Sequence, residues 1–153
     1  MLTKGLTRYR DRRVVADFDS TELLEVVANP TEIKQVLLNL TVNALEAVPP
    51  QRGEVRLTGR RSGDWVEVAV EDNGKGMSAD TLQNVFEPFF TNKRGAGDPG
   101  TGLGLSITHA IVENHGGRLR AESAGPGRGS RFSVLLPAKP PQRTPGRAVV
   151  VNA

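Results

Sequence analysis

One helix with a clear beginning and a clear end constrains the rest of this chain. Asn29 can cap its first turn, Pro30 suits the first helical position, and Glu32 completes a capping box. The Pro49-Pro50 pair ends the helix, because proline cannot continue one. The sequence therefore predicts a helix from Pro30 to about Val48.

Short segments rich in valine or with alternating apolar residues surround this helix. "RRVVADFD" and "LLEVVA" precede it, while "EVRLTGRR" and "DWVEVAVED" follow it as two strands joined by a turn at Ser62-Gly63. Ser78 caps a short helix in "SADTLQNVF", and a loop from Phe89 to Gly102 leads to a helix from Leu103 to about Asn114. "GRLRAES" and "SRFSVLLP" predict a closing hairpin, so strands and helices alternate along the chain.

The composition is that of a soluble globular domain. The 153 residues are 37% hydrophobic and 24% charged, and no apolar run approaches the ~18 residues that span a bilayer. The N-terminal "MLTKGLTRYRDRRVV" is charged where a signal peptide is apolar, so we expect a cytoplasmic chain. No cysteine is present and His109 and His115 are the only histidines, which excludes disulfides and a self-contained zinc site.

The net charge of +3 comes largely from the basic segments "KGLTRYRDRR" and "AKPPQRTPGR". A nucleic-acid-binding face would interleave aromatic and basic residues, and aromatic residues make up only 5% of the chain. We therefore expect solvated basic ends and no nucleic-acid partner. Residues 138–153 are interpreted as a proline-rich tail or linker that need not pack.

Two asparagines, Asn39 and Asn43, stand one turn apart beside the apolar stripe of the first predicted helix. A buried amide without partners is unfavourable by about 1–3 kcal/mol, so each side chain needs a partner. Backbone groups or water are one answer. The other is Mg²⁺, which prefers oxygen ligands and binds beside phosphates.

The stretch "VEDNGKGM" places Asp72 at the end of a predicted strand, followed by Gly74 and Gly76. Glycine is needed where the backbone bends tightly or approaches a ligand. Asp72 could accept a hydrogen bond from an exocyclic amine, with room at Gly76 for a flat ring. A solvated or turn-capping carboxylate is the alternative interpretation.

A third stretch, "GTGLGLSI", has glycines at 100, 102 and 104 where a helix begins. Unpaired backbone amides and the helix dipole favour anions at such a position. The chain has no G-x-x-x-x-G-K-[ST] loop, no dinucleotide-binding G-x-G-x-x-G after a first strand, and no H-R-D and D-F-G pair of a eukaryotic-type protein kinase.

Four ordered blocks, "NLTVNALEA", "DNGKGM", "FEPFFTNK" and "GTGLGLSI", resemble the N, first G, F and second G boxes of the catalytic ATP-binding domain of bacterial sensor histidine kinases. The resemblance covers about residues 22–137, including the closing hairpin. It implies a Bergerat-type α/β two-layer sandwich, in which a mixed sheet packs on about three helices and a mobile lid covers ATP. Type II topoisomerase ATPase subunits, large heat-shock ATPase chaperones and MutL proteins share this fold.

The resemblance also implies roles for individual residues. Asn43 matches the Mg²⁺-binding asparagine, and Asp72 matches the aspartate that reads the adenine amino group. Asn39 and Lys93 match catalytic positions, Ser130 stands where the family has threonine, and "FTNK" departs from the common "FTTK". His109 and His115 are interpreted as structural. The full nucleotide-binding set is Asn39, Asn43, Ala47, Asp72, Gly74, Gly76, Met77, Phe89, Thr91, Lys93, Arg94, Gly100, Thr101, Gly102, Leu103, Gly104, Leu105 and Ser130.

The function implied by the resemblance is transfer of the γ-phosphoryl group of Mg·ATP to a histidine, in two-component signalling with a response regulator downstream. The chain lacks an "SHELRTPL"-like phosphoacceptor stretch, so residues 1–137 correspond to a catalytic domain that acts on a separate helical hairpin domain. Such a domain makes no membrane contact itself and can be the cytoplasmic part of a membrane-bound sensor. An anti-sigma-factor-type serine kinase and a non-catalytic ATP-binding module remain alternatives.

Asn39 also bears on the fate of ATP. Hydrolysing relatives of this fold carry a water-activating glutamate at that position, and an amide cannot take up a proton at neutral pH. The resemblance therefore predicts slow hydrolysis, with Glu46 the nearby carboxylate that could substitute. Residues 91–101, the predicted lid, are expected to be the most mobile segment without nucleotide.

Overall fold

The computed structural model describes residues 9–18, 24–88, 90, 104–139 and 149–150. The strands are β1 (Arg13–Phe18), β2 (Glu25–Val26), β3 (Glu54–Ser62), β4 (Trp65–Asp72), β5 (Arg118–Glu122), β6 (Ser130–Pro137) and β7 (Val149–Val150). The helices are α1 (Pro30–Ala47), α2 (Ala79–Asn84) and α3 (Gly104–Asn114). None of these helices is long and apolar enough to cross a membrane.

Five strands form one mixed sheet in the order β1-β3-β4-β6-β5. β1 runs parallel to β3, and the other neighbours are antiparallel. A parallel pair needs a crossover connection, and α1 lies in it. The β3–β4 hairpin turns at Gly63-Asp64 rather than at the predicted Ser62-Gly63, because Gly63 adopts the left-handed φ of +60° and Ser62 pairs with Trp65.

Helices α1 and α3 cover one face of this sheet. Alternate residues of the central strands are buried beneath them, and most residues between are more exposed, apart from Ala69 and Ser133; this is the period-2 pattern of a half-buried strand. Fully buried members of the core are Val36, Leu40, Val55, Val66, Val70, Val112, Phe132 and Val134. The predicted two-layer sandwich, with a mixed sheet on three helices of the described ranges, is confirmed.

The opposite face of the sheet carries charged side chains. Glu67 accepts hydrogen bonds from Arg131 at 3.0 Å and Arg60 at 3.2 Å. Burial alone would raise the pKa of Glu67, but these two guanidinium groups outweigh it and hold that pKa below its ordinary value. One row of alternating charge crosses four strands: Arg56, Glu71, Arg131 and Glu122.

Helix α1 begins as the sequence predicts, with one difference. Asn29 Oδ1 accepts hydrogen bonds from the amides of Thr31 at 3.0 Å and Glu32 at 3.2 Å. The second half of the predicted capping box is wrong, because the Asn29 amide donates to Nε2 of His115 at 3.2 Å and not to the Glu32 side chain. A distant histidine therefore completes the start of α1.

The other helices also follow the prediction. Ser78 Oγ accepts a hydrogen bond from the Thr81 amide at 3.2 Å and caps α2. Helix α3 ends before Gly116, whose φ of +72° suits glycine in the left-handed region. Leu103, the predicted first residue of α3, lies outside the described residues.

A second, two-stranded sheet joins the segment before α1 to the end of the chain. β2 is shorter than the predicted strand "LLEVVA", because only Glu25 and Val26 pair with residues of β7. It pairs with β7 in antiparallel register, and the Lys139 amide donates to the Glu25 carbonyl at 2.8 Å. Parts of the predicted tail thus contact β2, and the domain boundary at residue 137 stays a prediction.

Candidate functional site

Asn39 connects the two helices that cover the sheet. Its Nδ2 donates to Thr108 Oγ1 at 3.2 Å, and its Oδ1 accepts from Gln35 Nε2 at 2.7 Å. Thr108 is fully buried and donates to the Gly104 carbonyl at 2.8 Å, and it faces Asn39 from the second turn of α3. The partners of Asn39 are side chains, rather than the backbone groups or water considered from the sequence.

Asn43 lies one turn further along α1 and is half-buried. Within the described ranges its side chain makes no hydrogen bond, in contrast to Asn39. An amide oxygen in this state can serve as a hard ligand for Mg²⁺. No group of three or more His, Asp or Glu side chains in the same ranges could hold a metal by itself, so a metal here would need oxygens of a bound ligand or water.

Asp72 is buried at the end of β4, with 8% of its surface exposed. Its Oδ1 accepts a hydrogen bond from the Gly74 amide at 2.9 Å, while its Oδ2 is buried and has no partner among the described residues. Burial raises the pKa of Asp72 above its ordinary value, opposed first by the Gly74 amide and then by the backbone amide of Ser130. The carboxylate therefore has one oxygen available for a donor from a ligand.

The chain after Asp72 packs against the end of α1. The Lys75 amide donates to the carbonyl of Ala47 at 3.0 Å. A Cβ on Gly74 would overlap that same carbonyl group, so this position requires glycine. Ala47, a predicted site residue, thus places the end of α1 against the segment that carries Asp72.

The turn between β5 and β6 supports the same segment from the other side. Gly76 has a φ of +65°, and a Cβ there would overlap the Gly125 carbonyl. The Met77 amide donates to Ser123 Oγ at 2.9 Å, and Met77 is buried in the core. Gly76 was predicted to leave room for a flat ring; the structure shows a close approach of two backbones at this glycine.

The remaining predicted residues divide into two groups. Ser130 is buried and pairs with Asp72 across β4 and β6, and Gly104 and Leu105 begin α3. The second group lies outside the described residues, as does the predicted lid 91–101, so their roles stay predictions. It comprises Phe89, Thr91, Lys93, Arg94, Gly100, Thr101, Gly102 and Leu103.

Three polar residues at this site were not predicted from the sequence: Gln35, Thr108 and Ser123. Thr108 occupies the buried side of α3 together with Val112, and a hydroxyl in an apolar stripe could have indicated a polar partner. Gln35 shares a helical stripe with Asn39, which is a usable signal for their contact. Ser123 gave no comparable signal, because its partners depend on the turn that follows it.

The carboxylate of Glu46 belongs to a different cluster. Tyr9 is buried, and its hydroxyl donates to Glu46 Oε1 at 3.2 Å. The Arg12 guanidinium lies over the Tyr9 ring at 5.2 Å. Glu46 is therefore held by the segment before β1, which argues against its serving as a substitute base near Asn39.

Both histidines make structural contacts. His115 Nδ1 donates to the Ile111 carbonyl at 2.8 Å, which leaves Nε2 as the acceptor for the Asn29 amide in the neutral ring. His109 stacks on Phe86, with ring centroids 5.1 Å apart. These contacts connect α3 to α1 and to the end of α2.

Comparison with known proteins gives one family match and several similar relatives. Residues 28–140 match the family described as histidine kinase-, DNA gyrase B- and HSP90-like ATPase. The sensor histidine kinase ZraS of Escherichia coli O157:H7 is 41% identical over 135 residues, which cover 88% of this chain and 28% of that protein. This chain therefore spans less than a third of that relative's length.

Solved structures of similar proteins share the fold of this chain. The catalytic domain of histidine kinase ThkA has a TM-score of 0.73 at 33% identity, covering 90% of this chain and 86% of that one. The mycobacterial sensor histidine kinase MprB has a TM-score of 0.76 at 28% identity, covering 91% and 90%. The predicted fold class is thus matched by experimental structures.

Proposed function

This chain belongs to the family of histidine kinase-, DNA gyrase B- and HSP90-like ATPases, and we propose that it binds ATP with Mg²⁺ and donates the γ-phosphoryl group to a histidine on a separate helical hairpin domain. A response regulator would receive the group next. In the full-length protein the domain would work in the cytoplasm, as part of a two-component sensor. Relatives named sensor histidine kinases support this proposal.

The observation that carries the proposal is the unpaired Oδ2 of Asp72. A buried acceptor without a partner is costly, and an exocyclic amine of adenine would satisfy it. Gly74 holds the other oxygen, so the carboxylate cannot turn to satisfy both from within the described chain. This arrangement favours a ligand with an amino group over one that presents a carbonyl oxygen at the same place.

Fewer contacts support the part of the site that is proposed to bind the phosphates. Asn43 has the free amide oxygen that a Mg²⁺ ligand requires, and Mg²⁺ would neutralise charge on the phosphates when bound. Asn39 is hydrogen-bonded to Thr108 and would fix the distance between α1 and α3 beside Asn43. Roles for Lys93, Arg94 and the glycines 100 and 102 follow from the resemblance alone.

The same contacts support phosphoryl transfer over hydrolysis. Asn39 cannot act as a general base, and Glu46 is held by Tyr9. A positioned base contributes about 10²–10⁴-fold in rate, so water attack on ATP should be slow. Slow hydrolysis keeps the phosphoryl group available for the partner histidine.

Nucleotide binding is tested by thermal unfolding with and without Mg·ATP. A ligand at about 100 times its dissociation constant should stabilise the fold by about 2.7 kcal/mol. Asp72→Asn should lower the preference for ATP over GTP by about 10-fold or more, because the new amide presents a donor to the adenine amine. The matched control is Asp64→Asn in the exposed β3–β4 turn, which should keep the parent's preference. Absence of any stabilisation by ATP would refute the binding proposal.

Phosphoryl transfer is tested by phosphate release and by labelling of an added histidine-bearing hairpin domain. We expect slow release and labelled histidine. Asn39→Glu should raise release because it supplies a carboxylate, whereas Asn39→Gln should not. Rapid phosphate release by the parent alone would assign the chain to the ATPases. Labelling of serine on a protein substrate would favour a serine kinase. ATP binding without transfer to any partner would favour a non-catalytic module.

A further inference from the structure

We propose that Ser123 is a positioning residue for adenine recognition, acting through one hydroxyl that fixes residues 73–77 after Asp72. This inference rests on the proposed function. Residues 73–77 are called the adenine segment and residues 123–129, between β5 and β6, the supporting turn. Ser123 contacts no proposed ligand atom; it acts through the backbone of Met77 and Gly129.

The Ser123 hydroxyl uses its hydrogen-bonding capacity on both segments. Its oxygen accepts from the Met77 amide at 2.9 Å, and its proton goes to the Gly129 carbonyl at 2.7 Å. The Gly125 amide lies at 3.3 Å as a second donor. A serine hydroxyl has one donor and two acceptor sites, so these three contacts account for all of them.

The two main hydrogen bonds of the Ser123 hydroxyl lie on two segments that both adjoin Asp72. Met77 ends the adenine segment that begins next to Asp72. Gly129 has a φ of +71° and packs so closely on the Asp72 carbonyl that a Cβ there would overlap it. Ser123 therefore links the last residue of the adenine segment to Gly129, which packs on the backbone of Asp72 just before β6.

The other hydrogen bonds between these two described segments are made by main-chain atoms. The Gly127 amide donates to the Lys75 carbonyl at 2.6 Å, and the Gly129 amide donates to the Gly74 carbonyl at 3.1 Å. Such bonds persist in any variant that keeps the glycines. Ser123 contributes the side-chain bond between the segments, so it is the contact that a single substitution can remove without altering the backbone.

Loss of the hydroxyl should change recognition more than folding. The Met77 amide would lose its partner, and the adenine segment would be held mainly at Gly74 and Lys75. Asp72 would then present Oδ2 less accurately to an exocyclic amine. Because one hydrogen bond changes an equilibrium by roughly 2- to 10-fold, the preference for ATP over GTP should fall by about that factor.

The experiment measures dissociation constants of Mg·ATP and Mg·GTP, well below the melting temperature of each protein, for the parent and three variants. Ser123→Ala removes the hydroxyl, Ser123→Thr keeps it, and Ser123→Cys is a milder change that replaces it by a weaker hydrogen-bonding group of similar shape. We expect the ATP preference to fall by about 5-fold in Ser123→Ala, less in Ser123→Cys, and to stay within about 2-fold of the parent in Ser123→Thr. Ser62→Ala, at the exposed end of β3, is the matched control and should behave as the parent.

Hydrogen exchange at the amides of residues 73–77 gives a second measurement, and it should speed up in Ser123→Ala with nucleotide present. A lower melting temperature with an unchanged ATP preference in Ser123→Ala and Ser123→Cys would overturn the inference, because it would show a purely structural role. If Ser123→Ala does not fold, Ser123→Cys decides in the same way. Failure of the parent to bind either nucleotide would overturn the proposed function and this inference with it, whereas a parent-like ATP preference in the variants overturns the inference alone.

Discussion

The two ends of α1 are held in place by different kinds of contact. At the beginning, the Asn29 side chain caps the helix and the His115 side chain accepts the Asn29 amide. At the end, the Ala47 carbonyl accepts the Lys75 amide, and Gly74 packs directly on that carbonyl. Both ends satisfy polar groups that a helix terminus leaves unpaired, the first with side chains and the second with backbone.

The difference determines how each end responds to substitution. A side-chain contact can be weakened in steps, because a new side chain can keep some of its hydrogen bonds. A backbone contact at a glycine allows no such steps, because any Cβ forces the two backbones apart. The end of α1 that adjoins Asp72 is therefore the more sensitive one, and the beginning is the one that can be tuned.

The largest effect is expected for Gly74→Ala. The added Cβ would overlap the Ala47 carbonyl, which is backbone and cannot move aside, so the free energy of unfolding should fall by about 1–3 kcal/mol. Denaturant titration measures this. Gly104→Ala is the matched control, because no atom of the described residues lies within 4 Å of a Cβ added there, and it should leave stability unchanged or raise it by up to about 1 kcal/mol. Equal effects of the two variants would contradict the close backbone contact between Gly74 and the end of α1.

A smaller and graded effect is expected at His115. His115→Ala removes two hydrogen bonds and should lower the free energy of unfolding by about 1–2 kcal/mol. His115→Gln can place an oxygen near the position of Nε2 and should recover part of this loss. Glu32→Gln, which removes only the half-exposed contact at 3.5 Å to His115, should change stability by less than about 0.5 kcal/mol. An identical loss in the Ala and Gln variants would show that this end is not tunable.

The smallest effect is a dependence on pH at Asp72. Because burial raises its pKa in the folded chain above the ordinary 3.8, the folded state binds the proton more tightly than the unfolded state. The contribution of Asp72 to stability is therefore greatest below pH 3.8 and is lost as pH rises through the folded-state pKa. Asp72→Asn should match the parent at low pH and gain relative stability toward neutral pH, as measured by denaturant titration at several pH values. A constant difference across that range would contradict the raised pKa.

Much of the fold could be predicted from local patterns. The cap at Asn29, the Pro49-Pro50 stop and the cap at Ser78 set the helices, and alternating apolar residues set the hairpins β3–β4 and β5–β6. These signals act over a few residues, so they survive in a single sequence. The pairing of β2 with β7 joins residues more than a hundred positions apart, and no local pattern indicates it.

The elements that carry Asn39, Asn43 and Asp72 could be predicted, but the contacts of these residues could not. Asn39, Asn43 and Asp72 were recognised from their blocks, and the structure places them at the expected elements. The contact of Asn39 with Thr108 spans 69 positions, and that of Asn29 with His115 spans 86. Such partners depend on how helices pack against each other, which the sequence pattern of either helix alone does not specify.

The row of alternating charge on the sheet face opposite α1 and α3 affects how the domain associates at high protein concentration. Arg131 connects Glu67 and Glu71 there, and Glu67 is largely covered by its arginine partners. A second sheet stacked on this face would remove water from these charged groups without offering them better partners. The desolvation penalty would then exceed the free energy gained from the contact. The charged face can thus discourage the sheet-to-sheet association that leads to aggregation.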